Sequence, residues 1–76
     1  MRTALTALVL LVFAAPPVLA EEREDALQLN EEGIRLVAAG KFEEAIKTFT
    51  KARRLQPADV TLKQNLATAR SRHAGA

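Results

Sequence analysis

Two chain breakers and two small residues constrain this chain more than any other feature. Gly40 and Pro57 divide the sequence after residue 21 into three stretches, each with apolar residues at helical spacing. Glycine accepts the left-handed conformation that follows many helix ends, and proline disfavours a helical residue before it. Gly33 and Ala45 lack bulk, so two helices can approach closely there. The pattern therefore predicts a tightly packed helical hairpin.

We expect three helices and no strand. The first is predicted from about Glu22 to Ala39, the second from Phe42 to Leu55, and the third from an N-cap at Asp59 to Arg72 or His73. Residues 74–76 are expected to be a frayed tail. The loops are short, so consecutive helices should be antiparallel neighbours. The fold class is thus all-α: an antiparallel hairpin with a third, capping helix over residues 21–73.

The first twenty residues have the composition of a secretory signal peptide. Arg2 gives a positive start, Ala4 to Ala15 is apolar except for Thr6, and Val18-Leu19-Ala20 supplies small or medium residues for cleavage. We therefore expect cleavage after Ala20 and export to the periplasm or the cell exterior. The apolar run is shorter than the roughly 20 residues that span a bilayer. An uncleaved membrane anchor is the alternative.

Composition argues against catalysis. The chain has no cysteine, which removes disulfides, thiol nucleophiles and thiolate metal sites. His73 is the only histidine, and Ser71, two residues away, would not face it on a helix. The glycines Gly33, Gly40 and Gly75 lack the spacing of a phosphate-binding loop. We expect no enzyme activity, no metal site and no cofactor.

Residues Ala26 to Asp59 resemble a tetratricopeptide repeat (TPR), a helical hairpin with a period of 34 residues. Seven residues match the types that the family favours at the corresponding positions: Leu29, Gly33, Leu36, Ala45, Phe49, Ala52 and Pro57. Glu32 departs from the pattern, because the family usually buries leucine there. The carboxylate of Glu32 indicates an end repeat in which this edge is partly exposed to solvent. The alternative is that a partner covers the edge.

A second repeat begins at Val60 and does not continue. Asn65-Leu66-Ala67 resembles the first helix of a following repeat. The resemblance therefore implies one complete repeat plus a terminal helix. In helical arrays such a helix caps the exposed apolar face of the last repeat.

The resemblance implies a protein-interaction module, an adaptor or an assembly factor, that binds a protein or peptide on its inner face. The residues that it places in this groove lie on the first and third helices: Leu27, Asn30, Ile34, Val37, Ala38, Gln64 and Thr68, with Thr61, Ser71 and Arg72 beside them. The alternative is a structural module that self-associates through Leu27, Ile34 and Val37. Arrays of this kind usually need about three repeats to bury a continuous core.

Charge is unevenly distributed, although the full chain carries only +2. Acidic residues crowd the first half of the chain after residue 20, and basic residues crowd the second half. Head-to-tail association of copies and ordinary helix-dipole matching would both explain this polarity. Nucleic acid is not expected as a partner, because the sequence offers no exposed aromatic residue for base stacking. Stable membrane insertion is not expected after cleavage.

Overall fold

The computed structural model describes residues 17–75 and consists there of three α-helices without strands. Helix α1 spans Pro17–Ala38, α2 spans Phe42–Leu55 and α3 spans Val60–Gly75. The predicted all-α class is confirmed. The first sixteen residues of the predicted signal peptide, and Ala76, lie outside the described residues.

Contacts between the helices give their directions. In the middle of α1, Ala26 clusters with Ala52 near the end of α2 and with Leu62 near the start of α3. Further along α1, Gly33 lies against the ring of Phe49. Helices α1 and α3 therefore run in the same direction, and both pack antiparallel to α2. The predicted antiparallel neighbours are confirmed, while α1 and α3 touch each other only slightly.

Helix α1 ends in a glycine cap, as the sequence predicts. Gly40 has φ of 76°, in the left-handed region that glycine enters without cost from a Cβ atom. Its N–H donates to the carbonyl of Val37 at 3.0 Å, and the N–H of Lys41 donates to the carbonyl of Leu36 at 2.9 Å. This pair of bonds is a Schellman motif. It satisfies two carbonyl groups at the helix end and turns the chain into α2.

The second connection is capped by a side chain. The N–H of Gln56 donates to the carbonyl of Ala52, which closes the last turn of α2 before Pro57. Asp59 then caps α3, because its Oδ1 accepts a hydrogen bond of 3.2 Å from the N–H of Leu62. The predicted N-cap is confirmed.

The structure corrects two predicted helix ends. Within the described residues, helix α1 runs from Pro17, so it extends at least five residues before the predicted start near Glu22. Leu19, Ala20 and the glutamates that follow are good helix formers, so nothing interrupts the helix there. Helix α3 continues to Gly75, so the predicted frayed tail is wrong for both Ala74 and Gly75. Alanine is a strong helix former, and no proline interrupts that stretch.

The core consists of two clusters of buried residues along α2. One cluster contains Ala45, Phe49, Leu66 and Ala69, and the other contains Ala26, Ala52 and Leu62. A Cβ atom built on Gly33 would lie 2.6 Å from Cζ and 2.7 Å from Cδ1 of Phe49, and closer still to Cε1. The absence of a side chain at Gly33 is thus what lets α1 and α2 approach so closely.

Candidate peptide-binding groove

A groove runs between α1 and α3 on the side of the bundle away from most of α2, and we call it the α1–α3 groove. Two depressions lie along it, one of about 400 Å³ and one of about 160 Å³. Both are lined by residues of α1 and α3. Phe49 of α2 also lines the smaller one, and Gln56 and Asp59 of the α2–α3 loop line the larger one. The groove exists because α1 and α3 each pack on α2 but hardly on each other.

A pair of asparagines bridges the groove between the two depressions. The side-chain N–H of Asn65 donates to Oδ1 of Asn30 at 2.7 Å, and both side chains are half-buried. An amide has two donors and a carbonyl acceptor. The bridge therefore leaves an Asn30 amide group and the Asn65 carbonyl able to hydrogen-bond the backbone of a peptide.

The larger depression lies at the end of the groove where α3 begins, beside the middle of α1. Its lining residues come from α1, from the α2–α3 loop and from α3: Arg23, Ala26, Leu27, Asn30, Gln56, Asp59, Thr61 and Leu62. Arg23 and Asp59 place opposite charges on its rim. Leu27 is 58% exposed beside this depression.

The smaller depression has a more apolar lining. Ile34 and Val37 of α1 face Asn65 and Thr68 of α3, and the Phe49 ring lies beneath them. Ile34 is 50% exposed. Val37 is half-buried and packs against the core cluster that contains Phe49. An apolar side chain of a partner would meet aliphatic and aromatic carbon here.

The structure brings together five of the seven residues that the sequence assigned to the groove. Leu27 and Asn30 line the larger depression, and Ile34, Val37 and Thr68 line the smaller one. The other two, Ala38 and Gln64, are exposed but line neither depression. Among the residues expected beside the groove, Thr61 lines the larger depression, whereas Ser71 and Arg72 line neither.

Seven lining residues were not among the predicted groove residues: Arg23, Ala26, Phe49, Gln56, Asp59, Leu62 and Asn65. Arg23 stands four residues before Leu27, so helical spacing alone could have placed it on the same face. Asp59 was recognised only as a cap. Asn65 contacts Asn30 across 35 positions of sequence, and helix periodicity carries no signal for such a pairing.

The polar groups of the groove are suited to hydrogen bonding and charge contacts. Within residues 17–75, no three His, Cys, Asp or Glu side chains are grouped so that they could hold a metal ion. No helix in that range has the length and apolar character needed to cross a bilayer. His73 lies away from the groove, in a depression that it shares with Phe42, Glu43 and Glu44.

Comparison with protein-family models, with curated proteins and with solved structures finds no match for this chain.

Proposed function

We propose that this chain is an exported, TPR-like protein-interaction module that docks a peptide or a helix of a partner protein in the α1–α3 groove. The observation that carries the proposal is the exposure of Leu27 and Ile34 on one face of α1, each beside a depression. Aliphatic side chains beside a concavity that also offers amide groups are typical of peptide-binding sites.

The spacing of these two residues defines the spacing of apolar side chains expected in a partner. Leu27 and Ile34 are seven residues apart on one helix, which separates them by about 10.5 Å along its axis. A partner helix with apolar residues at the same interval would place one on each. In a peptide in the polyproline II conformation, residues three apart lie on the same face and span a similar distance, about 9 Å. Its backbone would then cross the Asn30–Asn65 bridge and meet their amide groups.

The affinity of such a site is modest. Full burial of a leucine or isoleucine is worth about 1.5–3 kcal/mol, and about half of each side chain is already covered in the free protein. Each anchor thus contributes on the order of 1 kcal/mol on binding. Standard interfaces bury about 800 Å² per partner, which would use much of the face that two helices of this length offer.

Export with cleavage after Ala20 would give α1 a new, acidic start. Cleavage after Ala20 would make Glu21, Glu22 and Glu24 the first turn of the helix. Carboxylates at that end are stabilised by the helix dipole. The same cleavage would remove the apolar segment from Ala4 to Ala15. The groove lies beyond the cleavage point and would be unchanged.

The proposal is tested by selecting peptides from a displayed random library on the purified protein. The binding of each selected peptide is then measured by fluorescence anisotropy. Ile34→Glu should weaken binding at least about tenfold, because the partner would lose an apolar contact and bury a carboxylate. Circular dichroism should show unchanged helicity, since Ile34 is half-exposed.

Val60→Glu is the matched control. Val60 is 64% exposed and lines neither depression of the groove, so the same chemical change there should leave the affinity within about twofold. If Ile34→Glu binds as wild type does, or if both variants lose binding equally, the groove assignment fails. Unfolding of Ile34→Glu would also contradict it, because the residue would then belong to the core.

A second candidate function is structural. The same exposed side chains, Leu27 and Ile34, could be covered by a second copy that completes a small core. In that case the melting temperature rises with protein concentration, and Ile34→Glu abolishes the rise. A melting temperature that stays constant over a hundredfold dilution would exclude this function.

A further inference from the structure

Opposite the groove, the outer flank of α1 carries an acidic depression that we call the α1 edge. It measures about 280 Å³ and is lined by Asp25, Gln28, Leu29, Glu32 and Leu55. Leu29 and Leu55 are half-buried, whereas the three polar residues are exposed. The α1 edge thus combines aliphatic carbon with two carboxylates. A long basic side chain can pack its stem on aliphatic carbon and place its charged group at the carboxylates.

The outer flank of α3 carries basic side chains at the complementary spacing, and we call it the α3 edge. Lys63, Ala67, Arg70 and Ala74 follow one another at four, three and four residues, so they form one stripe along the helix. All four are exposed. The alanine between Lys63 and Arg70 leaves room for a neighbouring helix to approach.

The charged residues of the two edges lack partners within the protein. In the part of the chain that the structure describes, the one ion pair is Lys47–Glu43 on α2 at 3.9 Å. Asp25 and Glu32 are therefore unpaired, and so are Lys63 and Arg70. Helix α3 contains no acidic residue at all. The charged residues named on each edge thus share one sign and make no ion pair within the described part of the chain.

The two edges match in spacing as well as in sign. Asp25 and Glu32 are seven residues apart, and so are Lys63 and Arg70, which gives about 10.5 Å along each helix axis. Because the intervals are equal, a shift of one copy along the helix axis that places Lys63 beside Asp25 of the next copy also places Arg70 beside Glu32. The two edges lie on opposite sides of the bundle, so one copy can present its α3 edge while its own α1 edge stays open.

We propose that copies of this chain associate head to tail, with the α3 edge of one copy on the α1 edge of the next. Such a contact is heterologous: each copy uses a different surface, so association continues into short rows rather than stopping at a dimer. None of the edge residues lines the α1–α3 groove. The grooves of neighbouring copies would therefore remain open and lie on the same side of the row.

The test is sedimentation equilibrium of the purified chain, with its mass established by mass spectrometry, from about 10 μM to about 1 mM protein. The contact is small and polar, so weak association is expected. The association constant should fall at least about tenfold between 0.02 M and 0.3 M salt, because screening shortens the reach of exposed charges.

Charge reversal then assigns the surfaces. Asp25→Lys/Glu32→Lys makes both edges basic, and Lys63→Glu/Arg70→Glu makes both acidic. Each double variant alone should be monomeric. An equimolar mixture of the two should regain the association of the wild type, since every contact in it joins an acidic edge to a basic one.

Glu43→Lys/Lys47→Glu is the matched control. It exchanges the two charges of the exposed α2 pair and should leave association unchanged. Ile34→Glu should also leave it unchanged, which separates this contact from any self-association through the groove. The proposal is overturned if the wild type is monomeric at 1 mM in low salt, if the reversed variants still associate, or if their mixture does not.

Discussion

Gly33→Ala should destabilise the protein, although replacing a glycine inside a helix by alanine normally raises stability. In a helix interior, Gly→Ala is favourable by about 1 kcal/mol. Here the new Cβ atom would lie 2.6 Å from Cζ and 2.7 Å from Cδ1 of Phe49. Carbon atoms in van der Waals contact lie about 3.5–4.0 Å apart, so the Phe49 ring or helix α1 must move by about 1 Å.

The magnitude follows from the lack of space around the ring. Phe49 is 1% exposed and packs against Ala45, Leu66 and Ala69, so the ring cannot rotate away from Gly33 without displacing α3. Overpacking of a core costs about 1–3 kcal/mol, and three overlapping ring atoms place this case near 3. After the gain in helix propensity, Gly33→Ala should lower the free energy of unfolding by about 2 kcal/mol.

Thermal unfolding followed by circular dichroism measures this effect. A loss of about 2 kcal/mol corresponds to a melting temperature roughly 8–16 °C lower in a domain of this size. Gly75→Ala is the control, because nothing lies within 4 Å of its added Cβ, and it should change stability by less than about 0.5 kcal/mol. A melting temperature that rises in Gly33→Ala would refute the close approach of α1 and α2.

Two further substitutions test the helix ends. Gly40→Ala should lower the free energy of unfolding by about 1–2 kcal/mol, because φ of 76° strains any residue with a Cβ atom. This holds even though the added Cβ would meet no atom within 4 Å. Chemical denaturation measures the loss, and unchanged stability would contradict the Schellman motif. Asp59→Ala should cost about 1 kcal/mol by removing the bond to the N–H of Leu62, whereas Asp59→Asn should retain most of that stability. Equal losses in these two variants would argue against capping.

The sequence was sufficient wherever a local signal acts. Helix α2 lies at its predicted bounds, because Gly40 and Pro57 limit it on either side. The cap at Asp59 and the left-handed glycine were predicted from residue type alone. The close approach at Gly33 was also predicted, because Gly33 and Ala45 lack the side-chain bulk that would hold two helices apart.

The sequence was insufficient for features that depend on how several helices pack against one another. The start of α1 was predicted at least five residues late, because acidic residues such as those from Glu21 to Asp25 favour the first turn of a helix. The Asn30–Asn65 bridge depends on the register between α1 and α3, which is set by how both pack on α2. Ala38 and Gln64 were assigned to the groove from a repeat pattern, and the actual helix orientations leave them outside its two depressions.

The central claim is that a partner docks between α1 and α3, and methyl NMR tests it most directly. A selected peptide would be titrated into the protein with labelled Leu, Ile and Val methyl groups, at about 0.3 M salt to suppress association through exposed charges. The account predicts shifts at Leu27, Ile34 and Val37, with Leu29 and Leu55 of the α1 edge unchanged. Shifts confined to Leu29 and Leu55, with Leu27 and Ile34 unaffected, would contradict it.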